Sequence, residues 1–407
     1  MLKTIRLLLV VQRLSGVQDN ENGEFDMITF GRPLTDSAEL ESIQEVMETG
    51  IYVHGPKTTE FERKFCEQLG YKNAVSVSNC TAGLHLAHHS LTKHIDPAVK
   101  KQHEVLCPAM THVATAHAIE LAGLTPVFVD CLAEDGNMDV ELMKQSITNK
   151  TVGIAAMHFN SVPCDIKEIM NVAMEHDLYV VEDCAIALGA KVDGKPVGTF
   201  GNAGAFSFHP VKQMTTGEGG MIVMNDQAFR DELALERAFG VNRAFNERKT
   251  AGLYDVTMLG FNYRMAEIPA AMGIEQLAKL DRFGARRRQN YTRLKAEFDK
   301  ISGVTVKGGT ITNDRSFYCL IAKLENTNSD DRDMLSVALK DAGVQTSIYY
   351  PHPLPRLQYY SDNYNYDPSK YPNALEFSDQ CLAFPIAPHL NEDDMVSISK
   401  TMQELLK

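Results

Sequence analysis

From about Asn73 onward, short β-branched runs alternate with segments of helical period, and that beat constrains the fold more than any other feature. Ala74–Val77, Glu104–Leu106, Pro126–Val129, Thr151–Met157, Leu178–Glu182 and Gly220–Met224 read as strands. Thr81–Leu91, Thr115–Ala122, Asp139–Ile147, Ile166–His176 and Ala228–Ala238 read as helices between or after them. Strand–helix–strand repetition means an α/β fold with a mostly parallel sheet, covered by helices on both faces. The beat changes near Ala266. Long helices are expected over Glu267–Leu280 and Phe283–Ile301, with strands at Val304–Val306, Tyr318–Lys323 and Thr346–Tyr350. Further helices are expected at Asp330–Ala342 and Glu392–Leu406. The division expected is an extension over residues 1–26, a large domain over 27–275 and a smaller α+β domain over 276–407.

Composition narrows the partners. The chain of 407 residues carries 53 acidic against 40 basic side chains, a formal charge of −13, with no Lys/Arg-rich block. This argues against nucleic acid as a partner. The apolar run Ile5–Val11 is too short to span a bilayer, and it precedes a polar linker over Val17–Phe25, so residues 1–26 read as an extension, with a targeting leader as the alternative. Nothing else approaches a membrane segment. The eight cysteines form no C-x-x-C pair and several lie in apolar runs, as expected of reduced thiols in a cytoplasmic protein. No H-E-x-x-H is present, so metal chemistry has no support.

The stretch Ala205-Phe206-Ser207-Phe208-His209-Pro210-Val211-Lys212, followed by Gly217-Glu218-Gly219-Gly220, places one lysine between a buried strand and a Gly-rich turn. A lysine attacks a carbonyl only as the free amine, and desolvation lowers its pKa toward that form. Ser207 lies five positions earlier, with a hydroxyl suited to a phosphate oxygen. Asp183 closes the run Tyr179–Asp183, and ligands collect beyond the carboxyl ends of parallel strands. Its plainer reading is a strand-end cap; Glu182 alternates to the other side. A Schiff-base lysine and a carboxylate for a pyridinium nitrogen are the protein parts that pyridoxal 5'-phosphate chemistry needs.

Other residues join this set. Ser78-Asn79-Cys80-Thr81 bridges a strand and a helix, where backbone N–H groups favour phosphate and Thr81 adds a hydroxyl. Capping by Asn79 or Thr81 is compatible with that. His112 begins another loop-to-helix junction and either stacks on a ring or is simply a polar loop end. His209 is as readily structural as functional. Two rival motifs fail: Gly217–Gly220 is not G-x-G-x-x-G, and Gly55-Pro56-Lys57-Thr58 only imitates part of a P-loop.

Taken together, Glu182-Asp183, Ser207–Lys212 with Gly217–Gly220, and Gly260-Phe261-Asn262-Tyr263-Arg264-Met265 resemble the DegT/StrS family of fold-type I, pyridoxal-phosphate-dependent sugar-nucleotide aminotransferases. Gly55-Pro56 with Phe61-Glu62 and the closing Phe384–Leu390 add to the resemblance, which spans about Ile28 to the C-terminus. It implies that Lys212 forms the Schiff base and shuttles a proton between Cα and C4′, and that Asp183 pairs with the pyridine nitrogen. It also implies that Ser207, Thr81 and the backbone around Cys80 hold the phosphate, and that His112 takes the ring-stacking position. Asn262 would reach the phosphate in a neighbouring subunit, implying a homodimer with shared sites. Two departures stand out: His112 replaces an aromatic residue, and Ile186 replaces a glutamine three residues after Asp183. The implied reaction moves an amino group from L-glutamate to a nucleotide-linked keto sugar, by a ping-pong route. A non-catalytic, regulatory cofactor binder and a keto-cyclitol aminotransferase are the alternatives. Phe239–Tyr254 and Tyr349–Tyr360 are the loops expected to select the substrate.

Overall fold

The computed structural model describes residues 27–242, 253–312 and 314–407; the expected extension and most of the loop after Phe239 lie outside these ranges. The chain opens with helices α1 (Ser37–Thr49) and α2 (Pro56–Leu69), then strand β1 (Asn73–Val77) and helix α3 (Cys80–Leu91). Next come β2 (Glu104–Pro108), α4 (Val113–Leu121), β3 (Thr125–Val129), α5 (Val140–Gln145), β4 (Thr151–Met157), α6 (Ile166–Glu175) and β5 (Tyr179–Asp183). A short ribbon, β6 (Lys191–Val192) and β7 (Lys195–Pro196), leads to β8 (Ala203–Ser207), β9 (Gly220–Met224) and α7 (Gln227–Glu236).

These strands form one sheet in the order β1-β9-β8-β5-β4-β2-β3. The pairs β3/β2, β2/β4, β4/β5 and β5/β8 are parallel; only β9 runs against its neighbours β8 and β1. Alternation along each strand sends side chains to two separate cores. Val75, Ala205 and Ile222 pack with Leu84, Leu86 and Ala118, whereas Ala74, Phe206, Met221 and Val223 pack with Phe61, Phe65 and Leu277. Both faces are therefore covered, as the near-continuous apolar strands require.

The second part follows α8 (Glu267–Phe298), a single 32-residue helix that passes unbroken through the two helices expected there. Its one proline, Pro269, lies in the first turn, where no intrahelical N–H bond is lost, so nothing interrupts the hydrogen-bond ladder between Leu280 and Phe283. Strands β10 (Val304–Lys307), β11 (Leu320–Leu324) and β12 (Cys381–Phe384) make an antiparallel sheet; α9 (Ser329–Asp341), α10 (Gln358–Asn363), α11 (Pro372–Gln380) and α12 (Glu392–Leu405) complete the chain. The strand expected at Thr346–Tyr350 is instead a loop holding a single bridge, Ser347 to Ala383. Its aromatic residues pack into the large sheet's core rather than extending the small one. No helix among the described residues is long and apolar enough to cross a membrane.

Glu182, on the central strand, is fully buried and its carboxylate is saturated. It accepts from the N–H groups of Gly198 (2.7 Å), Phe200 (2.8 Å) and Gly201 (2.8 Å), and His158 Nε2 lies 3.0 Å away. This pins the β7–β8 connection to β5. Glu182→Ala should therefore lower unfolding free energy by about 3 kcal/mol or more, because three buried donors and an imidazole lose their acceptor; chemical denaturation checks this.

Candidate active site

The parallel sheet sets the site. In the register of β5 and β8, Asp183 stands opposite Ala205, so the acid lies beside the strand that delivers Ser207 and, one loop later, Lys212. Asp183 is buried, and Oδ2 accepts from Thr115 Oγ1 at 2.7 Å while Oδ1 accepts from Ala185 N at 3.0 Å. Thr115 escaped the sequence reading as a site residue. Its only signal is position, one turn after His112 on the helix face toward the sheet.

Lys212 is half-buried, and the turn from His209 to Lys212 is closed by Lys212 N donating to His209 O at 2.9 Å. Loss of solvation pulls the lysine below its ordinary pKa, against upward pulls from Cys80, Asp183 and Cys319. The desolvated amine expected from the sequence is present, and these same neighbours show that Asp183 and Cys80 share its surroundings. His209 is exposed and acts through its main chain.

Two close glycine approaches and one glycine turn shape the far wall. A Cβ on Gly220, the first residue of β9, would lie 2.7 Å from Asn79 C and 2.8 Å from Cys80 N. Only glycine lets the N-terminus of α3 come this close to the sheet. Gly83 sits similarly tight against Ile222, and Gly217 holds a positive φ of 77° in the turn after Lys212. Asn79 caps α3 by accepting from Ala82 N at 2.8 Å. The helix start therefore presents backbone N–H groups beside the half-buried Thr81 and Ser207. The Cys80 side chain is turned inward to Ala205 O at 3.6 Å, and burial pushes its thiol well up, so this residue can offer only its main chain to an anion.

His112 caps α4, its Nδ1 accepting from Ala114 N at 3.2 Å, and its ring centroid lies 5.9 Å from that of Tyr350. The residue as a whole is exposed, yet loss of solvation at the ring pushes its pKa down, against a pull up from Asp183. Ile186 is buried, and its carbonyl accepts from Ser161 Oγ and from Gln213 Nε2 (2.6 Å). Asn262 is exposed next to Tyr263, whose carbonyl accepts from Ser78 N at 2.7 Å. The P-loop imitation at Gly55 is spent on structure: Lys57 N and Thr58 Oγ1 donate to Glu267 at 2.7 and 2.8 Å, filling that helix start.

A buried carboxylate, a desolvated lysine and a glycine-cradled helix start thus meet at the carboxyl edge of one sheet. Residues 33–403 match the model of the DegT/DnrJ/EryC1/StrS aminotransferase family. The chain belongs to that family. Among its relatives, GDP-perosamine synthase of Escherichia coli O157:H7 is 34% identical over 378 residues, which is 92% of this chain and 97% of that one. Two solved structures resemble it closely. Spr1654 from Streptococcus pneumoniae in its PLP-form is 26% identical with a TM-score of 0.84, covering 93% of this chain and 98% of that one. DesI in the presence of its TDP-sugar product is 27% identical with a TM-score of 0.82, covering 97% and 96%. This DegT-family chain is a pyridoxal-phosphate-dependent sugar aminotransferase of polysaccharide or amino-sugar biosynthesis.

The residues present fit the cofactor: an anion cradle at α3, a carboxylate with spare acceptor capacity and an amine pulled toward its neutral form. Gly220→Ala should weaken pyridoxal phosphate binding about 10-fold or more, since the helix start must retreat from the cradle. Spectrophotometric titration of the cofactor-free protein measures it.

Proposed function

We propose that this aminotransferase takes an amino group from L-glutamate and delivers it to a keto sugar attached to a nucleotide, in two successive half-reactions. The observation that carries the reading is the meeting of Lys212 and Asp183 at the sheet edge, with α3 cradled by Gly220. Similarity to a GDP-perosamine synthase and to a protein solved with its TDP-sugar product supports the nucleotide-sugar class.

Each residue then has a defined task. Lys212 would hold the cofactor covalently and, as the free amine, would move a proton from the donor's Cα. When bound, pyridoxal phosphate supplies the carbonyl that captures amines and a ring that takes up the electron pair released at Cα. Asp183 holds a proton on the ring nitrogen; Thr115 and Ala185 N fix its carboxylate for that purpose. Thr81, Ser207 and the main chain at Cys80 would hold the phosphate, and His112 would lie at the cofactor ring. Fixing donor and lysine at contact distance removes much of the entropic barrier to the proton transfer.

Asn262 completes a neighbouring subunit's phosphate site in this reading, and the enzyme works as a homodimer. Apolar side chains around it support an interface: Phe239, Leu253, Tyr254, Val256 and Leu259 are all exposed. The free cysteines, all buried except half-buried Cys66, suit a reducing cytoplasm.

The purified protein should show a visible band that bleaches on adding L-glutamate. A persisting band overturns the choice of donor; no band after adding pyridoxal phosphate overturns the role of Lys212. Lys212→Ala should cut turnover by about 10³-fold or more, assayed with a panel of nucleotide-linked keto sugars and keto-cyclitols. Light scattering at working concentration should give twice the chain mass.

A further inference from the structure

Tyr318 and Arg287 have no place in the scheme above, yet both are built against Lys212. The ammonium nitrogen of Lys212 lies 5.2 Å from the ring centroid of Tyr318, within the range at which a cation is attracted by an aromatic face. The ring is fixed by Tyr349. Tyr318 is buried, its hydroxyl pairs with that of Tyr349 at 2.6 Å, and the Tyr349 ring stands edge-on to it at 5.4 Å and 88°. Tyr349 in turn stacks on Phe30 at 5.9 Å. With its hydroxyl turned to Tyr349, Tyr318 offers the lysine a π face.

Arg287 couples the two residues. This buried side chain on α8 donates from Nη1 to the carbonyl of Tyr318 at 2.9 Å and from Nη2 to the carbonyl of Lys212 at 3.2 Å. One rigid, planar guanidinium thus spans the main chains of lysine and ring. A lysine here would have two bonds to make with a single flexible ammonium.

The arrangement answers a problem posed by the reaction. With the cofactor bound, Lys212 would act as the base that takes a proton from the donor's Cα, becoming an ammonium, and would then give that proton up and return to the amine. The lysine ends as it began. In between, a cation stands in a desolvated site. A full ion pair would hold the proton too firmly, whereas an aromatic face stabilises a cation without accepting its proton.

We propose that the face of Tyr318 is the resting position of the Lys212 ammonium during proton transfer, and that Arg287 is the positioning residue that fixes ring and lysine together. This rests on Lys212 being the cofactor lysine, and it is independent of which sugar is aminated. The charged or titratable groups around the amine are Asp183 from the end of β5, Cys80 from the start of α3, Cys319 ahead of β11, His112 from the start of α4 and the Arg287 guanidinium on α8, which holds the lysine's own carbonyl. Burial pushes both thiols up, Cys319 to about 12, and pushes His112 down, so at neutral pH these three are uncharged. The carboxylate of Asp183 and the ring of Tyr318 favour the ammonium, against the like charge of the Arg287 guanidinium.

The test reverses the ring's field with only a small change in its size. Tyr318→Phe is compared with 3,4,5-trifluorophenylalanine at the same position, in full-length protein of unchanged thermal transition. In the cofactor-free protein, the pH dependence of Lys212 acetylation by limiting acetic anhydride is read by peptide mass. Tyr318→Phe should titrate like wild type, and the fluorinated ring should lower the midpoint by about half to one pH unit. In the holoenzyme, single turnover with L-glutamate should slow about 3- to 10-fold on fluorination, with KM for the donor unchanged. A midpoint that does not move on fluorination overturns the role of the ring. Arg287→Lys should slow single turnover about 10-fold at unchanged donor KM; an unchanged rate removes Arg287 from the assignment. If wild-type holoenzyme fails to respond to L-glutamate, the donor assignment falls, and the acetylation titration still decides the role of Tyr318.

Discussion

The parallel pairing of β5 with β8 is the constraint on which the rest of the site depends. It puts Asp183 opposite Ala205, so that the acid and the strand leading to Lys212 end at the same edge of the sheet. Glu182, one residue earlier and facing the other way, locks this register by accepting from three main-chain N–H groups of the connection into β8. Strand alternation gives adjacent acids opposite duties: one is spent entirely on structure, the other keeps capacity for a ligand. A slip of one residue would exchange them.

The second constraint is close approach. Phosphate binding by a helix start requires the helix to stand against the sheet; a side chain at Gly220 would meet the backbone at Asn79 and Cys80, and one at Gly83 would crowd Ile222 and Val77. The same principle runs in reverse at Gly55, where a helix start that resembles an anion site is already filled by the carboxylate of Glu267. Two helix starts therefore have different fates, decided by what the fold places in front of them.

Much of this was legible in the chain. The strand–helix beat gave the α/β class, and Thr151–Met157 and Gly220–Met224 were bounded as the structure has them. Apolar runs of strand length flanked by turn residues are local signals, and both faces of the sheet are covered, so nothing competes with them. Lys212 and Asp183 stood out because a lone lysine between a buried strand and a Gly-rich turn, and an acid closing another strand, are the protein parts that Schiff-base cofactor chemistry needs. The α8 helix was read as two because its apolar face shifts partner along its length, from α1 and α2 to the small sheet. Thr346–Tyr350 looked like a strand for its β-branched and aromatic residues, but Tyr349 and Tyr350 are drawn into the core around Phe159 and Tyr318.

By itself the sequence determined the periodicities, the turn glycines and the chemically capable side chains, because those depend on each residue's own conformational and acid–base preferences. Only the tertiary structure decided which of those side chains meet. Thr115 lies 68 positions from Asp183 and donates to it. Tyr318 and Arg287 reach Lys212 from segments 106 and 75 positions away in the sequence. Contacts of that separation are set by strand order and helix packing, which no local pattern encodes. The lysine's lowered proton affinity is of the same kind: it arises from loss of water around the amine, and burial belongs to the assembled fold rather than to any stretch of the chain.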